Sequence, residues 1–166
     1  MKADRLGVMD LWLLRHAAAE DRSASGRDAD RELTPEGLKR AERVARGLAA
    51  LEPAIEAVWT SPYRRARQTA EAAARELGLA RSLRETRALE PQREPREILE
   101  ELEAEDLPGV LLVGHEPHLG GLLGALLAEG GLPIPLKKAS AAWVEREGRS
   151  ASLRAILPAR ALERIR

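Results

Sequence analysis

Leu11-Trp12-Leu13-Leu14-Arg15-His16 is an unbroken apolar run that ends abruptly in a cation and an imidazole. A half-exposed strand alternates apolar and polar side chains, so this run reads as a strand buried on both faces, at the centre of a sheet. In open α/β sheets ligands bind beyond the carboxyl ends of the strands, which places Arg15 and His16 within a ligand's reach. The plainer explanation is a strand meeting water. A second stretch shifts the balance: Val110-Leu111-Leu112-Val113-Gly114-His115 repeats the plan, and Glu116-Pro117 then opens a new segment. The chain holds three histidines, and two of them close its two most hydrophobic strands. His118, one helical turn beyond His115, reads as a helix-start or surface residue.

Between these strands the chain alternates helix and strand signals. Residues 17–31 are small and polar without period and read as a loop over the sheet edge, where loops carry function. Leu33-Thr34-Pro35-Glu36-Gly37 is a helix start: Thr34 can cap, Pro35 suits the first position, and Glu36 complements the dipole. Leu38, Ala41, Val44, Ala45, Leu48 and Leu51 then form an apolar stripe at helical spacing, closed by Pro53. Ile55 to Thr60 is a second strand. It runs directly into Ser61-Pro62-Tyr63-Arg64-Arg65-Ala66-Arg67-Gln68-Thr69, with Ser61 as cap and Pro62 as first helical residue. That geometry aims amide N–H groups and arginines at the pocket, a setting that favours phosphate. The helical stripe Ala66, Ala70, Ala73, Ala74 and Leu77 puts Arg65 and Thr69 on the sheet side, and turns Arg64 and Arg67 toward solvent.

Gly78 ends this helix, and residues 81–87 form a short strand or connector. Leu89 to Pro95 is a proline-broken loop, Ile98, Leu99 and Leu102 mark a short helix, and Leu107-Pro108-Gly109 precedes the strand that delivers His115. A nearly all-apolar helix runs from Pro117 to about Glu129, with Gly120, Gly121 and Gly124 allowing close packing. Residues 132–138 are a loop. Ala139 to Arg146 and Ala151 to Leu157 form an antiparallel hairpin turning at Gly148.

Composition narrows the function. A chain of 166 residues is read as one domain, 1–166, with a full core. Lys+Arg and Asp+Glu both number 27, so no overall charge points to nucleic acid or an anionic membrane. The absence of cysteine removes disulfides, thiolate metal sites and a cysteine nucleophile. No apolar stretch approaches a transmembrane length, and Met1-Lys2-Ala3-Asp4-Arg5 leads into the first strand without a signal-peptide core, so a cytoplasmic location is expected. Two histidines and two or more arginines, with no metal-type carboxylate cluster, suggest a positive pocket for an oxyanion, above all a phosphoryl group, with no metal or cofactor. Neighbouring cations disfavour imidazolium, so Arg15 and Arg65 would both grip the phosphate and keep His16 neutral for in-line attack.

The Leu14-Arg15-His16 strand end, the Ser61 to Thr69 turn and the Gly114-His115 strand end together resemble the histidine phosphatase superfamily. The small size, the Asp30-Arg31-Glu32-Leu33-Thr34 segment and the Ala139-Ser140-Ala141 lead into the last hairpin resemble its compact SixA-type phosphohistidine phosphatases. The resemblance implies a three-layer α/β/α sandwich, with a mostly parallel central sheet and a C-terminal antiparallel hairpin at its edge. It implies that His16 is phosphorylated, that Arg15, Arg65 and His115 bind the phosphoryl group, that Arg31 lines the rim, and that water hydrolyses the intermediate. Two positions depart from the pattern. Ala17 stands where many members have glycine, which restricts a positive φ. Larger members place a proton-donating glutamate near 88–90, where the register gives Ala88, and Glu90 is the nearest candidate. Without an acid, alcohol leaving groups react slowly, whereas a phosphoramidate needs less help; a phosphorylated protein carrying phosphohistidine is therefore the expected substrate. A small phosphomonoester, or a non-catalytic role in binding phosphoproteins, are the alternatives.

Overall fold

The computed structural model describes residues 7–166, so the reading of Met1 to Arg5 lies outside the described residues. The elements run β1 (Val8–Arg15), α1 (Pro35–Ala50), β2 (Ala57–Thr60), α2 (Arg64–Glu76), β3 (Leu83–Glu85), α3 (Pro95–Glu103), β4 (Gly109–Gly114), α4 (His118–Leu127), β5 (Ala141–Glu147), β6 (Ser150–Leu157) and α5 (Ala159–Leu162). The strands form one sheet in the order β3-β2-β4-β1-β5-β6, so the two histidine-bearing strands are its central pair. β3, β2, β4 and β1 are mutually parallel, and the β5–β6 hairpin adds to β1 antiparallel at the edge.

The apolar runs follow from the layers. Along β1, Trp12 and Leu14 point into one cluster with Val44 and Leu48 of α1 and Ala66, Ala70 and Ala73 of α2. Leu11 and Leu13 point into the other, with Ile98 and Leu102 of α3 and Leu119, Leu122 and Leu123 of α4. Helices thus cover both faces, and a strand packed on both sides has no place for polar residues. Each fully buried leucine contributes roughly 2 kcal/mol by transfer from water, and the core includes Leu11, Leu13, Leu111 and Leu112, all at 0 % exposure. On the hairpin side Trp12 faces Trp143 across the ladder, their rings stacked at 5.3 Å, and Trp143 Nε1 donates to Asp10 at 2.6 Å.

The start of α1 is as expected: Thr34 Oγ1 accepts from the Gly37 amide at 2.9 Å with Pro35 in the first turn. Its stripe is narrower than expected, because Leu38 and Leu51 are exposed while Ala41, Val44, Ala45 and Leu48 are buried. The start of α2 differs. The helix begins at Arg64, Tyr63 is its cap residue, and no side chain caps it. Ser61 lies in the preceding turn, where its hydroxyl accepts from the Tyr63 amide at 3.2 Å and is aimed elsewhere. The short helix α5, not foreseen, packs Ala159 and Leu162 under α1. His118 opens α4 as expected but is buried, at 3 % exposure. Of the three α4 glycines only two need to be glycine for packing: a Cβ on Gly124 would collide with the Leu132 carbonyl, one on Gly120 would press on Glu116, Ile134 and Pro135, and one on Gly121 would meet Pro95 at an ordinary 3.6 Å.

Gly124→Ala is expected to lower the unfolding free energy by about 1–3 kcal/mol in urea titration, since backbone must move. Gly121→Ala, on the same helix, is expected to leave it unchanged or raise it by up to about 1 kcal/mol through helix propensity.

Candidate active site

Strand register builds the site. Arg15 of β1 pairs with Gly114 of β4, and Thr60 of β2 pairs with Val113. The next residue of each strand therefore emerges at the same edge: His16, His115 and Ser61. Two backbone bonds fix them there, His16 N–H to the Gly114 carbonyl and Ser61 N–H to the Val113 carbonyl, both 3.0 Å. The two imidazole centroids lie 5.0 Å apart. From the turn after Ser61, α2 brings in Arg65, 5 % exposed, and its Nε donates to His16 Nε2 at 3.3 Å. Thr69, one turn on, donates to the Arg65 carbonyl and accepts from the Ala17 amide, so α2 is tied to the backbone beyond His16. Ala17 itself is fully buried and is not among the positive-φ residues, so alanine fits where the resemblance would have glycine.

The tautomer of His16 follows from its partners. Nδ1 lies 2.7 Å from the Ala17 carbonyl, which can only accept, so the proton is on Nδ1. Burial, partly opposed by that bond and reinforced by the charges of Arg65, Arg15 and Lys138, lowers the His16 pKa to about 4. At neutral pH Nε2 therefore carries a lone pair. His115 is held by Ser61, with Nε2 2.8 Å from Oγ, while its buried Nδ1 has no protein partner. Burial, with His16, Arg65, His118 and Arg15 adding to it, lowers its pKa to about 2. The Tyr63 and His115 rings lie edge to face with centroids 5.1 Å apart, and the Arg65 guanidinium lies over the Tyr63 ring.

Arg15 donates through Nη1 to the Leu136 carbonyl at 2.8 Å, and its buried Nε has no partner. Glu116 accepts from the Leu136 amide, so the loop before β5 holds both side chains. The remaining sequence candidates lie further out. Glu90 is buried but bound by its neighbours, with Arg87 Nε at 3.1 Å, Gln92 Nε2 at 3.0 Å and Arg93 Nε at 3.6 Å. It lines a hollow of about 640 Å³ together with Tyr63, Arg64 and Arg67. Arg31 donates to Asp28 at 2.8 Å and to the Glu20 carbonyl. Arg64 and Arg67 are more than half exposed and paired with Glu32 and with Glu71 and Glu85. His118 is buried on the α3 side, where burial lowers its pKa against the opposing pull of Glu94 and Glu97. Sequence reasoning missed Asp28, whose carbonyl and carboxylate accept from Arg65 at 2.7 and 3.0 Å, and gave Ser61 the wrong partner. The only signal for either was proximity in sequence to residues already singled out. Among the described residues no cluster of three or more His, Cys, Asp or Glu is placed to hold a metal, and no helix is long and apolar enough to cross a membrane.

Comparison with known proteins gives this arrangement a family. The description of the histidine phosphatase superfamily, branch 1, matches residues 11–105. The chain belongs to that superfamily. A protein of Picosynechococcus sp., itself uncharacterized, is 39 % identical over 136 residues, spanning 79 % of this chain and 81 % of its own. The structure of the protein histidine phosphatase SixA complexed with tungstate is 27 % identical at a TM-score of 0.83, covering 93 % of this chain and 99 % of that one. A structure from Nakamurella multipartitia described as SixA is 30 % identical at a TM-score of 0.74, covering 90 % and 95 %. This histidine phosphatase is of the SixA type, and it is an enzyme that acts as a phosphatase.

The buried imidazoles make stability depend on pH, His16 and His115 above all. Both ionise near 6.5 when unfolded and at about 4 and about 2 when folded. Below 6.5 the unfolded chain therefore binds the more protons, and stability that is complete above 6.5 is lost as pH falls, at about 1.4 kcal/mol per pH unit for each histidine. In phosphate-free buffer the urea midpoint is expected to drop between pH 6.5 and 5, and to drop less in the His16→Ala variant. Equal slopes in the two proteins would rule this out.

Proposed function

We propose that the protein hydrolyses phosphohistidine on a partner protein through a phosphoryl intermediate on His16 Nε2. The observation that carries this is the polarity of His16: its proton is bound to the Ala17 carbonyl through Nδ1, and its Nε2 lone pair meets a buried arginine. A neutral imidazole in that state is a competent nucleophile. Arg65, Arg15 and His115 surround the position where the phosphoryl group would sit, and the unpartnered Arg15 Nε and His115 Nδ1 are buried polar atoms that an oxyanion would satisfy. That the SixA structure holds tungstate, an oxyanion, accords with this reading.

The chemistry needs no proton from the enzyme. Nε2 of His16 attacks phosphorus in line as the P–N bond of the substrate breaks; with its second ring nitrogen protonated, the substrate histidine leaves as neutral imidazole. Phosphorylated His16 then has the same form, because Nδ1 keeps its proton against Ala17, so water attack on phosphorus releases neutral His16, phosphate and a proton. The arginines balance charge on the equatorial oxygens throughout, and neutral His115 donates a hydrogen bond to them from its unpartnered Nδ1. An alcohol leaving group would instead require an acid. The carboxylates at this edge are otherwise engaged: Asp28 with Arg31 and Arg65, Glu90 with Arg87 and Arg93, and Glu116 with the Leu136 amide. Burial raises the Asp28 pKa, but its bonds to Arg31 and Arg65 outweigh that and keep it below the usual carboxylate range. The hollow beside Tyr63 has room for a small phosphate ester, which makes a phosphomonoesterase the second reading.

Rapid quench after mixing with a phosphohistidine-bearing protein should trap an acid-labile, alkali-stable phosphoenzyme that maps to His16. His16→Ala should lower kcat by about a thousandfold or more, and turnover at the wild-type rate would overturn the assignment. Arg65→Lys, which loses the planar fork, should cost about 10²-fold in kcat/KM. A specificity constant higher for an aryl or sugar phosphate than for the phosphoprotein would favour the second reading.

A further inference from the structure

Well beyond His16 and Ala17, the segment between β1 and α1 returns to the site at Asp28, which meets Arg65. Asp28 opens a single 3-10 turn, Asp28–Asp30, in a loop fastened by its own side chains: Ser23 Oγ donates to the Arg27 carbonyl and Ser25 Oγ to Asp30, both at 2.6 Å. From that turn Asp28 accepts two bonds from Arg65, its carbonyl from Nη1 at 2.7 Å and its carboxylate from Nη2 at 3.0 Å. Its other carboxylate oxygen accepts from Arg31 Nη1 at 2.8 Å.

The way these bonds divide the guanidinium is the informative part. A guanidinium is a rigid planar fork with two edges, one made by the two Nη groups and one by Nε and the neighbouring Nη2. Asp28 takes the first edge. The second is left facing His16, with Nε–H already on the Nε2 lone pair at 3.3 Å. Rotation of the Arg65 head is opposed by two acceptors of the same residue, one of them backbone.

We infer that Asp28 is a positioning residue of the phosphatase: it locks Arg65 so that the Nε and Nη2 edge meets the phosphoryl group on His16, and Arg31 acts on the reaction only through Asp28. This rests on His16 being the nucleophile. Arg31 is thereby moved from the rim, where it would touch substrate, to a place behind Asp28. The ion pair also supplies a counter-charge to a cation that is 6 % exposed in its side chain, while the Asp28 side chain is 56 % exposed. A buried arginine so balanced is held by geometry as well as charge.

The test is single-turnover phosphoenzyme formation from a phosphohistidine-bearing protein, normalised to burst amplitude so that an unfolded fraction does not count. It is run on His16→Ala, Asp28→Ala, Asp28→Asn, Arg31→Ala and the Asp28→Ala/Arg31→Ala double variant, with inhibition by inorganic phosphate measured alongside. Asp28→Ala should slow formation about tenfold or more, with the inhibition constant for phosphate unchanged or lower, because the charge lost is negative. Asp28→Asn, which keeps an acceptor for Arg65 and the backbone carbonyl, should stay within about threefold of wild type. Arg31→Ala should slow formation by less than Asp28→Ala, and the double variant should be no slower than Asp28→Ala alone. A normal or faster rate in Asp28→Ala, while His16→Ala is dead, overturns the positioning role and leaves the nucleophile standing. Additive losses in the double variant overturn the route through Asp28 and return Arg31 to the substrate. Full activity in His16→Ala fails the underlying reading itself.

Discussion

Everything at this site depends on the parallel pairing of β1 with β4. Because Arg15 sits opposite Gly114, the residues that follow each strand leave the sheet together, and the His16 amide closes on the Gly114 carbonyl. A slip of one residue would turn Trp12 and Leu14 to the wrong face and separate the imidazoles at the same time. The register is therefore enforced by the two cores: Trp12 and Leu14 fit under α1 and α2, and Leu11 and Leu13 under α3 and α4. The hydrophobic packing that holds the domain together is what sets the distance between His16 and His115.

The electrostatics follow from that placement. Bringing two imidazoles and two guanidinium groups to one buried edge would be costly if all were charged, and the structure resolves this by leaving the imidazoles neutral. Desolvation does most of it and the arginines add to it. Neutral His16 keeps a lone pair on Nε2 and adds no positive charge, and the remaining positive charge is matched by Asp28 on Arg65 and by Glu116 near Arg15. The same burial that keeps the histidines neutral thus ties their protonation to the stability of the fold.

Much of this was readable in the residues. Long apolar runs ending in Arg-His and Gly-His marked the central strands and the edge at which their histidines meet, and Thr34-Pro35 marked the start of α1, because buried strands and helix caps leave strong local signatures. The sheet-facing position of Arg65 followed from the alanine stripe of α2. Elsewhere the local rule gave the wrong answer. Ser61-Pro62 has the form of a cap and first helical residue, yet the serine hydroxyl is drawn to His115 on the neighbouring strand and the helix starts two residues later. Leu38 and Leu51 fit the helical period but are left exposed.

The sequence by itself determined the α/β architecture, the placement of His16 and His115 at strand ends, and the arginine on the sheet-facing side of α2, since these depend on periodicity and on side-chain chemistry. Only the tertiary structure decided which nitrogen of His16 is free, that Ser61 serves His115, and that Asp28 meets Arg65. Those facts rest on contacts between residues 37 to 54 positions apart, or on the path of a loop without period. Hydrogen-bond partners across such separations are set by how the layers close on one another, and no local pattern in the chain encodes that.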